Sequence, residues 1–265
     1  VVETAQLLNS REAIESRVSE GAISARAVWG MLLLRPALAL GFQCLFALGY
    51  ALLGAGDPWR SAADWWLGSF ALGEFINLWL LLRLSKREGL RYRDLLGVRK
   101  GEGKRDALWM VLALAVSGPL GFLPNLLLGN RLWGSAQVGA DLMFRPLPVA
   151  GAWAIVLVFP VIHALTELPT YYGYVMPRLQ ALSGRRVWPA LLCAFVLSTQ
   201  HVFLPLLPDW RFFLWRLLMF LPFALWLAWV LDRRPTSLRY LALAHYFLDF
   251  QLPVFVLLAS LAAAR

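Results

Sequence analysis

The side chains best suited to chemistry are three histidines, His163, His201 and His245, each inside a strongly apolar stretch and together the only histidines in 265 residues. Two have a carboxylate four positions on, as His163-x-x-x-Glu167 and His245-x-x-x-Asp249. Four positions is about one helical turn, so each pair shares a helix face. An ionisable group within a membrane helix costs roughly 2.5–3.5 kcal/mol on insertion scales and is by default a functional candidate. Such groups suit acid–base work on water: a desolvated carboxylate serves as base, and a neutral imidazole holds the other side of the water.

Spacing brings two of them together. The segment Thr166-Glu167-Leu168-Pro169-Thr170-Tyr171-Tyr172-Gly173 interrupts an apolar run, a turn is expected at Ser183-Gly184, and the next apolar run ends in Leu197-Ser198-Thr199-Gln200-His201. Glu167 and His201 each lie 17 positions from Gly184 (184 minus 167, and 201 minus 184), so an antiparallel helical hairpin places them at one depth. His245 and Asp249 then close the site and stabilise an oxyanion, with Asp249 orienting the imidazole or itself protonated. Plainer readings stand beside these. His163 with Glu167 could be a self-compensating buried pair, and His201 or His245 a core histidine bonded to a helix carbonyl. Glu74 reads as a lone helix-packing or substrate-groove residue, and Gln200 and Asn77 as bridges between helices. Zinc is the competing chemistry, with His163, Glu167, His201 and His245 as its ligands. There is no His-Glu-x-x-His, however, and the ligands are spread over three segments.

The elements that must position these groups are membrane helices. The chain is 60% hydrophobic and 15% charged, with mean hydropathy +0.62. A soluble domain is about 45–50% apolar and about 25% charged. At about 20 residues per span there is room for seven or eight helices. The expected spans are about 32–54, 64–84, 107–128, 149–172, 188–207, 210–231 and 239–262, with a further half-buried segment near 130–147. The predicted fold is an all-α polytopic bundle: an amphipathic N-terminal segment over 1–27, with its helix at 3–26 on the membrane surface, and one transmembrane domain over 28–265. No cleavable signal peptide is expected, because the first 27 residues are of mixed charge.

Basic loops set the orientation. Arg and Lys cluster at 86–105, 178–186 and 233–239, which fall on one side if there are seven spans. The positive-inside rule then puts the N-terminus in the cytoplasm. The net charge of +9 reports this topology and contact with anionic lipid, and nucleic acid is not an expected partner. Arg216 is expected to snorkel, and Trp59, Trp65, Trp66, Trp133, Trp210 and Trp215 to form an interfacial belt. Cys44 and Cys193 read as small buried apolar residues. The absence of an internal repeat argues against a transporter built from inverted repeats.

In order and spacing these residues resemble the CPBP family, the CAAX prenyl endopeptidases and bacteriocin-processing enzymes also called Abi proteins. That family carries Glu-Glu-x-x-x-Arg, usually followed by Gly, then Phe-x-x-x-His, then His-x-x-x-Asn or His-x-x-x-Asp. Here Glu167 takes the first Glu and Gly173 the glycine, and Gly173-Tyr-Val-Met-Pro-Arg-Leu179 looks like the usual continuation. Leu197-x-x-x-His201 matches the second motif with Leu for Phe, and His245-x-x-x-Asp249 matches the third. The resemblance covers about 150–250, and more loosely Leu95-Leu96-Gly97-Val98-Arg99-Lys100. Leu168 and Tyr172 depart from it, standing where the family has its second Glu and its Arg. Their loss removes one anion and one cation together. His163, one turn before Glu167, and Tyr172 are the expected replacement support.

The resemblance implies a glutamate-dependent intramembrane endopeptidase acting on a membrane-associated peptide or protein tail, with no cofactor and no metal. Glu167 and His201 would activate a water, and His245 and Asp249 would stabilise the tetrahedral oxyanion. The alternative is a non-enzymatic scaffold or immunity-type protein of the same fold. The expected location is a bacterial cytoplasmic membrane.

Overall fold

The apolar segments become helices in a computed structural model that describes residues 8–97 and 103–265. The chain is 84% helical, with no strand among the described residues, as the composition predicts for a polytopic bundle. Helix α1 (Arg11–Ser19) precedes the long α2 (Ala25–Leu52). Then come α3 (Pro58–Asp64), α4 (Trp66–Arg87) and the single turn α5 (Tyr92–Leu95). After α6 (Gly103–Trp133) and the short α7 (Gln137–Met143), α8 (Val149–Leu168) runs through a π-helical segment, Pro169–Val175, into α9 (Met176–Ser183). Helix α10 (Val187–Gln200) ends in a 3-10 turn, His201–Phe203, and α11 (Trp210–Arg233) and α12 (Leu238–Ala263) follow.

Six stretches are long and apolar enough to cross a membrane: α2, α4, α6, the α8–α9 run, α11, and Pro235–Ala263 with α12. They turn Leu45, Phe122, Leu157 and Phe247 outward, a surface that suits lipid and not water. The chain is an integral membrane protein.

The span expected at 188–207 takes a different form. Helix α10 has 14 residues. At about 1.5 Å per residue it covers roughly 21 Å of a hydrocarbon core about 30 Å thick. The chain continues as irregular backbone over 204–209, which is tolerated only where protein satisfies its polar groups. Gln43 of α2 does so, donating from Nε2 to the Leu206 carbonyl and accepting from the Leu206 N–H, each at 2.8 Å. Trp59 donates to the same carbonyl at 2.8 Å. Arg216 does not snorkel. It is buried, and its guanidinium donates to the carbonyls of His201 (2.9 Å) and Leu204 (2.7 Å).

Other expectations are corrected by packing. The N-terminal helix over 3–26 is shorter and breaks at Gly21, whose φ of +72° is a left-handed conformation natural to glycine. Its Ile14 is buried in protein, with α1 packed on α9; residues 1–7 lie outside the described ones, as do Val98, Arg99 and Lys100. Trp66 and Trp215 belong to the core and not to a belt, and they donate to Met143 O and Asn125 Oδ1, each at 3.0 Å. Cys193 is buried as expected, whereas Cys44 is exposed.

Ion pairs tie the three basic connections to one end of the bundle. Arg178 meets Glu88 at 2.6 Å, Arg186 meets Asp232 at 2.8 Å, and Arg234 and Arg239 meet Asp106 at 2.9 and 3.0 Å. Two apolar clusters fill the interior, one around Leu168, Tyr174, Leu197 and Leu227, the other around Trp66, Phe70, Phe159 and Phe212. Helix α8 contributes to both, and His163 and Glu167 lie along it between Phe159 and Leu168, where the two clusters meet.

Candidate active site

The site is built on a break in α8. Pro169 has no N–H, so the carbonyl of Leu165 loses its helical partner. The Tyr92 hydroxyl replaces it, donating at 2.7 Å. The helix then widens into the π-helical turn, all seven residues of which are buried. Such turns recur at functional sites because they re-aim consecutive side chains. A Cβ on Gly173 would sit 2.9 Å from Leu238 Cδ2 and 3.2 Å from the Leu95 carbonyl oxygen, so only glycine lets this wide turn pack against its neighbours.

The two tyrosines of the turn separate. Tyr172 does not reach Glu167: its hydroxyl donates to the Ala224 carbonyl at 2.9 Å, which corrects its expected supporting role. Tyr171 supports Glu167 indirectly, donating to Gln200 Oε1 at 2.9 Å. Leu168 sits in the apolar core.

Glu167 is fully buried and is the centre of the site. One carboxylate oxygen, Oε1, accepts from the Gln200 amide and lies 3.9 Å from both His201 Nε2 and Arg35 Nη2. The other, Oε2, lies 2.7 Å from His163 Nε2 and 3.0 Å from His245 Nε2. The equal arms about Gly184 thus bring Glu167 and His201 face to face. Gly184 caps α9 in the left-handed conformation.

His201 has a fixed tautomer. Its Nδ1 lies 2.8 Å from the Leu197 carbonyl, an acceptor, so Nδ1 carries the hydrogen and Nε2 presents its lone pair toward Glu167. The ring stacks on Phe220 at 3.7 Å, and the Arg216 guanidinium lies over the same Phe220, 5.0 Å from its centroid.

Helices α2 and α4 supply what the sequence reading missed. Arg35 is fully buried, donating from Nη1 to Glu74 Oε2 at 2.6 Å and to Thr166 Oγ1 at 3.0 Å, and from Nε to Gln200 Oε1 at 2.9 Å. Glu74 is therefore no lone packing residue. Its Oε1 lies 2.8 Å from His163 Nδ1, and its Oε2 also accepts from the Thr166 hydroxyl. Gln200, expected only to bridge helices, joins Arg35, Tyr171 and Glu167. Asn77 does bridge, donating to Thr170 Oγ1 at 3.0 Å. The signal for Arg35 was present as a lone cation in an apolar stretch beside Pro36, a position the cost of burial makes conspicuous.

His163 lies between the Phe159 and His245 rings, 4.9 and 5.3 Å away. Asp249 Oδ2 is 2.7 Å from His245 Nε2 and 3.6 Å from His163 Nε2. Of the zinc set read from the sequence, His163, Glu167 and His245 converge. His201 stands apart on the other carboxylate edge, and Asp249 occupies its place.

The arrangement thus offers a buried carboxylate with an imidazole lone pair on one edge and a His/His/Asp cluster on the other. Comparison of the chain with models of known families, with curated proteins and with solved structures returned no match.

Proposed function

We propose that this chain is an intramembrane endopeptidase that cuts a membrane-associated peptide or protein tail at Glu167. One observation carries the reading: the fully buried Glu167 Oε1 faces the lone-pair nitrogen of His201 across 3.9 Å. A water beside both hydrogen-bonds to each; one of them accepts its proton as the water oxygen bonds to the peptide carbonyl carbon, and returns that proton to the leaving amine as the C–N bond breaks. The scissile carbonyl then points toward His245 and Asp249, where the oxyanion develops.

The resemblance to CPBP proteins supports the same roles. The anion and cation lost at Leu168 and Tyr172 have counterparts in Glu74 and Arg35, which brace Glu167 through His163 and Gln200. Access also fits. A narrow crevice walled by Leu114, Phe223, Leu241 and Leu248 reaches His245, and its apolar walls suit a substrate arriving from the lipid. The gathering of basic loops at one end supports a cytoplasmic N-terminus in a bacterial cytoplasmic membrane.

The test is substitution. Glu167→Gln and His201→Ala are each expected to lower cleavage by about 10²–10⁴-fold. Comparative proteomics of a Glu167→Ala strain should then show uncleaved membrane-anchored precursors. Intact processing in both variants would sink the mechanism.

A further inference from the structure

We infer that His163, His245 and Asp249 form a binding site for one divalent transition-metal ion of the zinc class, with Glu167 beside its open position. The ion site stands on its geometry; the catalytic use given to it rests on the hydrolase reading above.

Three donor atoms, one each from His163, His245 and Asp249, lie within 4.8 Å of one another, and Glu167 Oε2 adjoins both imidazoles. Glu167 Oε2 lies 2.7 Å from His163 Nε2 and 3.0 Å from His245 Nε2. Asp249 Oδ2 lies 2.7 Å from His245 Nε2 and 3.6 Å from His163 Nε2. Ligand atoms about 2.0–2.1 Å from a tetrahedral zinc stand roughly 3.3 Å from one another, so small side-chain movements centre an ion among the three and leave its fourth position open. The ligands and Glu167 come as two one-turn pairs, His163/Glu167 on α8 and His245/Asp249 on α12, and these two helices pack directly on each other. Two imidazoles and one carboxylate are donors that zinc accepts.

Three further observations point the same way. His163 Nδ1 meets Glu74 Oε1 at 2.8 Å, the carboxylate behind a ligand imidazole that orients metal-bound histidines, and Arg35 fixes that carboxylate in turn. Asp249 Oδ2 is buried with no hydrogen-bond partner, although it lies 2.7 Å from His245 Nε2. An acceptor aimed into the cluster without a donor is what a cation would satisfy. Finally, three carboxylates (Glu74, Glu167 and Asp249) surround the cluster. Among the described residues the guanidinium paired with them is that of Arg35, Arg216 being committed to backbone carbonyls, and their other partners are the His163 and His245 imidazoles. With both imidazoles neutral as ligands, a divalent ion balances the remaining two charges.

The ion would answer a need of the proposed reaction. The developing oxyanion requires an electrophile beside the His245 imidazole, whose Nε2 is shared between Glu167 and Asp249. A cation at this point polarises the substrate carbonyl. His201, outside the ligand set, stays beside Glu167 Oε1 to take the proton of the water.

The experiment is metal analysis of protein purified from zinc-supplemented cells, with thermal unfolding of chelator-stripped protein titrated with zinc alone. Expected are about one zinc per chain and a zinc-dependent rise in unfolding temperature. His245→Ala and Asp249→Ala should lose the ion, Glu74→Gln should bind it about 10–100-fold more weakly, and His201→Ala should keep it. The wild-type measurement depends on no variant folding. Absence of both zinc and the thermal response in wild type overturns the site, as does full retention of zinc by His245→Ala and Asp249→Ala. Zinc bound without cleavage upholds the ion site and counts against the hydrolase reading. Full cleavage by metal-stripped protein upholds that reading and overturns the catalytic use of the ion.

Discussion

Arg35 and Glu74 form a fully buried ion pair between α2 and α4, Nη1 to Oε2 at 2.6 Å, and each partner reaches Glu167 through one further side chain. Arg35 acts through Gln200 and also stands 3.9 Å from Glu167 Oε1 itself, and Glu74 acts through His163. The pair therefore holds the candidate base from two sides without touching the place where a substrate would lie. A salt bridge out of water is weak evidence for stability, because desolvation offsets the attraction. Its bonds to Gln200, Thr166 and His163 are what make it a brace.

Arg35→Met should cost about 3–5 kcal/mol, since it leaves Glu74 as an uncompensated buried charge. Combining it with Glu74→Met should recover much of that loss. Thermal unfolding in detergent of the two singles and the double measures the coupling, and purely additive losses would mean that the pair is not a unit.

Gln200→Leu removes the junction of Arg35, Tyr171 and Glu167. Because Gln200 positions the base and does not face a substrate, kcat should fall by about 10–100-fold with KM nearly unchanged. A change confined to KM would show instead that Gln200 lines the substrate path.

The two neighbouring tyrosines should behave differently. Tyr171→Phe frees Gln200 Oε1 from one of its two donors and should lower kcat. Tyr172→Phe removes only a bond to the Ala224 carbonyl, costing about 1 kcal/mol of stability with cleavage near wild type. Equal effects of both on kcat would contradict the separation of their roles.

Gln43→Leu strips the irregular segment after α10 of the partner for Leu206 N–H and of one donor to its carbonyl. The expected loss is about 1–3 kcal/mol in thermal unfolding. Trp59→Phe should cost less, because Gln43 still reaches the same carbonyl. The reverse order would mean that Trp59 is the main anchor of this segment.

Much of the site was legible because its components are local. The i, i+4 pairs His163/Glu167 and His245/Asp249 follow from helical periodicity, and the register of Glu167 against His201 follows from a hairpin turning at Gly184. Tyr172 was misread because the π-helical turn changes the angular step between residues, so a side chain expected beside Glu167 faces α11. Arg216 was misread because its carbonyl partners come from the 3-10 turn and the irregular backbone after α10, which no periodicity announces.

The sequence by itself determined that this is a helical membrane protein, that its three histidines with Glu167 and Asp249 lie within apolar spans, and which of them share a helix face. Those properties depend on composition and on a repeat of 3.6 residues, both carried by short stretches of chain. Tertiary structure alone decided that Arg35 and Glu74 brace Glu167, that Gln200 and not Tyr172 is its neighbour, and that Asp249 and not His201 completes the cluster on its other edge. Helices distant in sequence choose their facing sides by packing, and a buried charge finds its partner only when those sides meet.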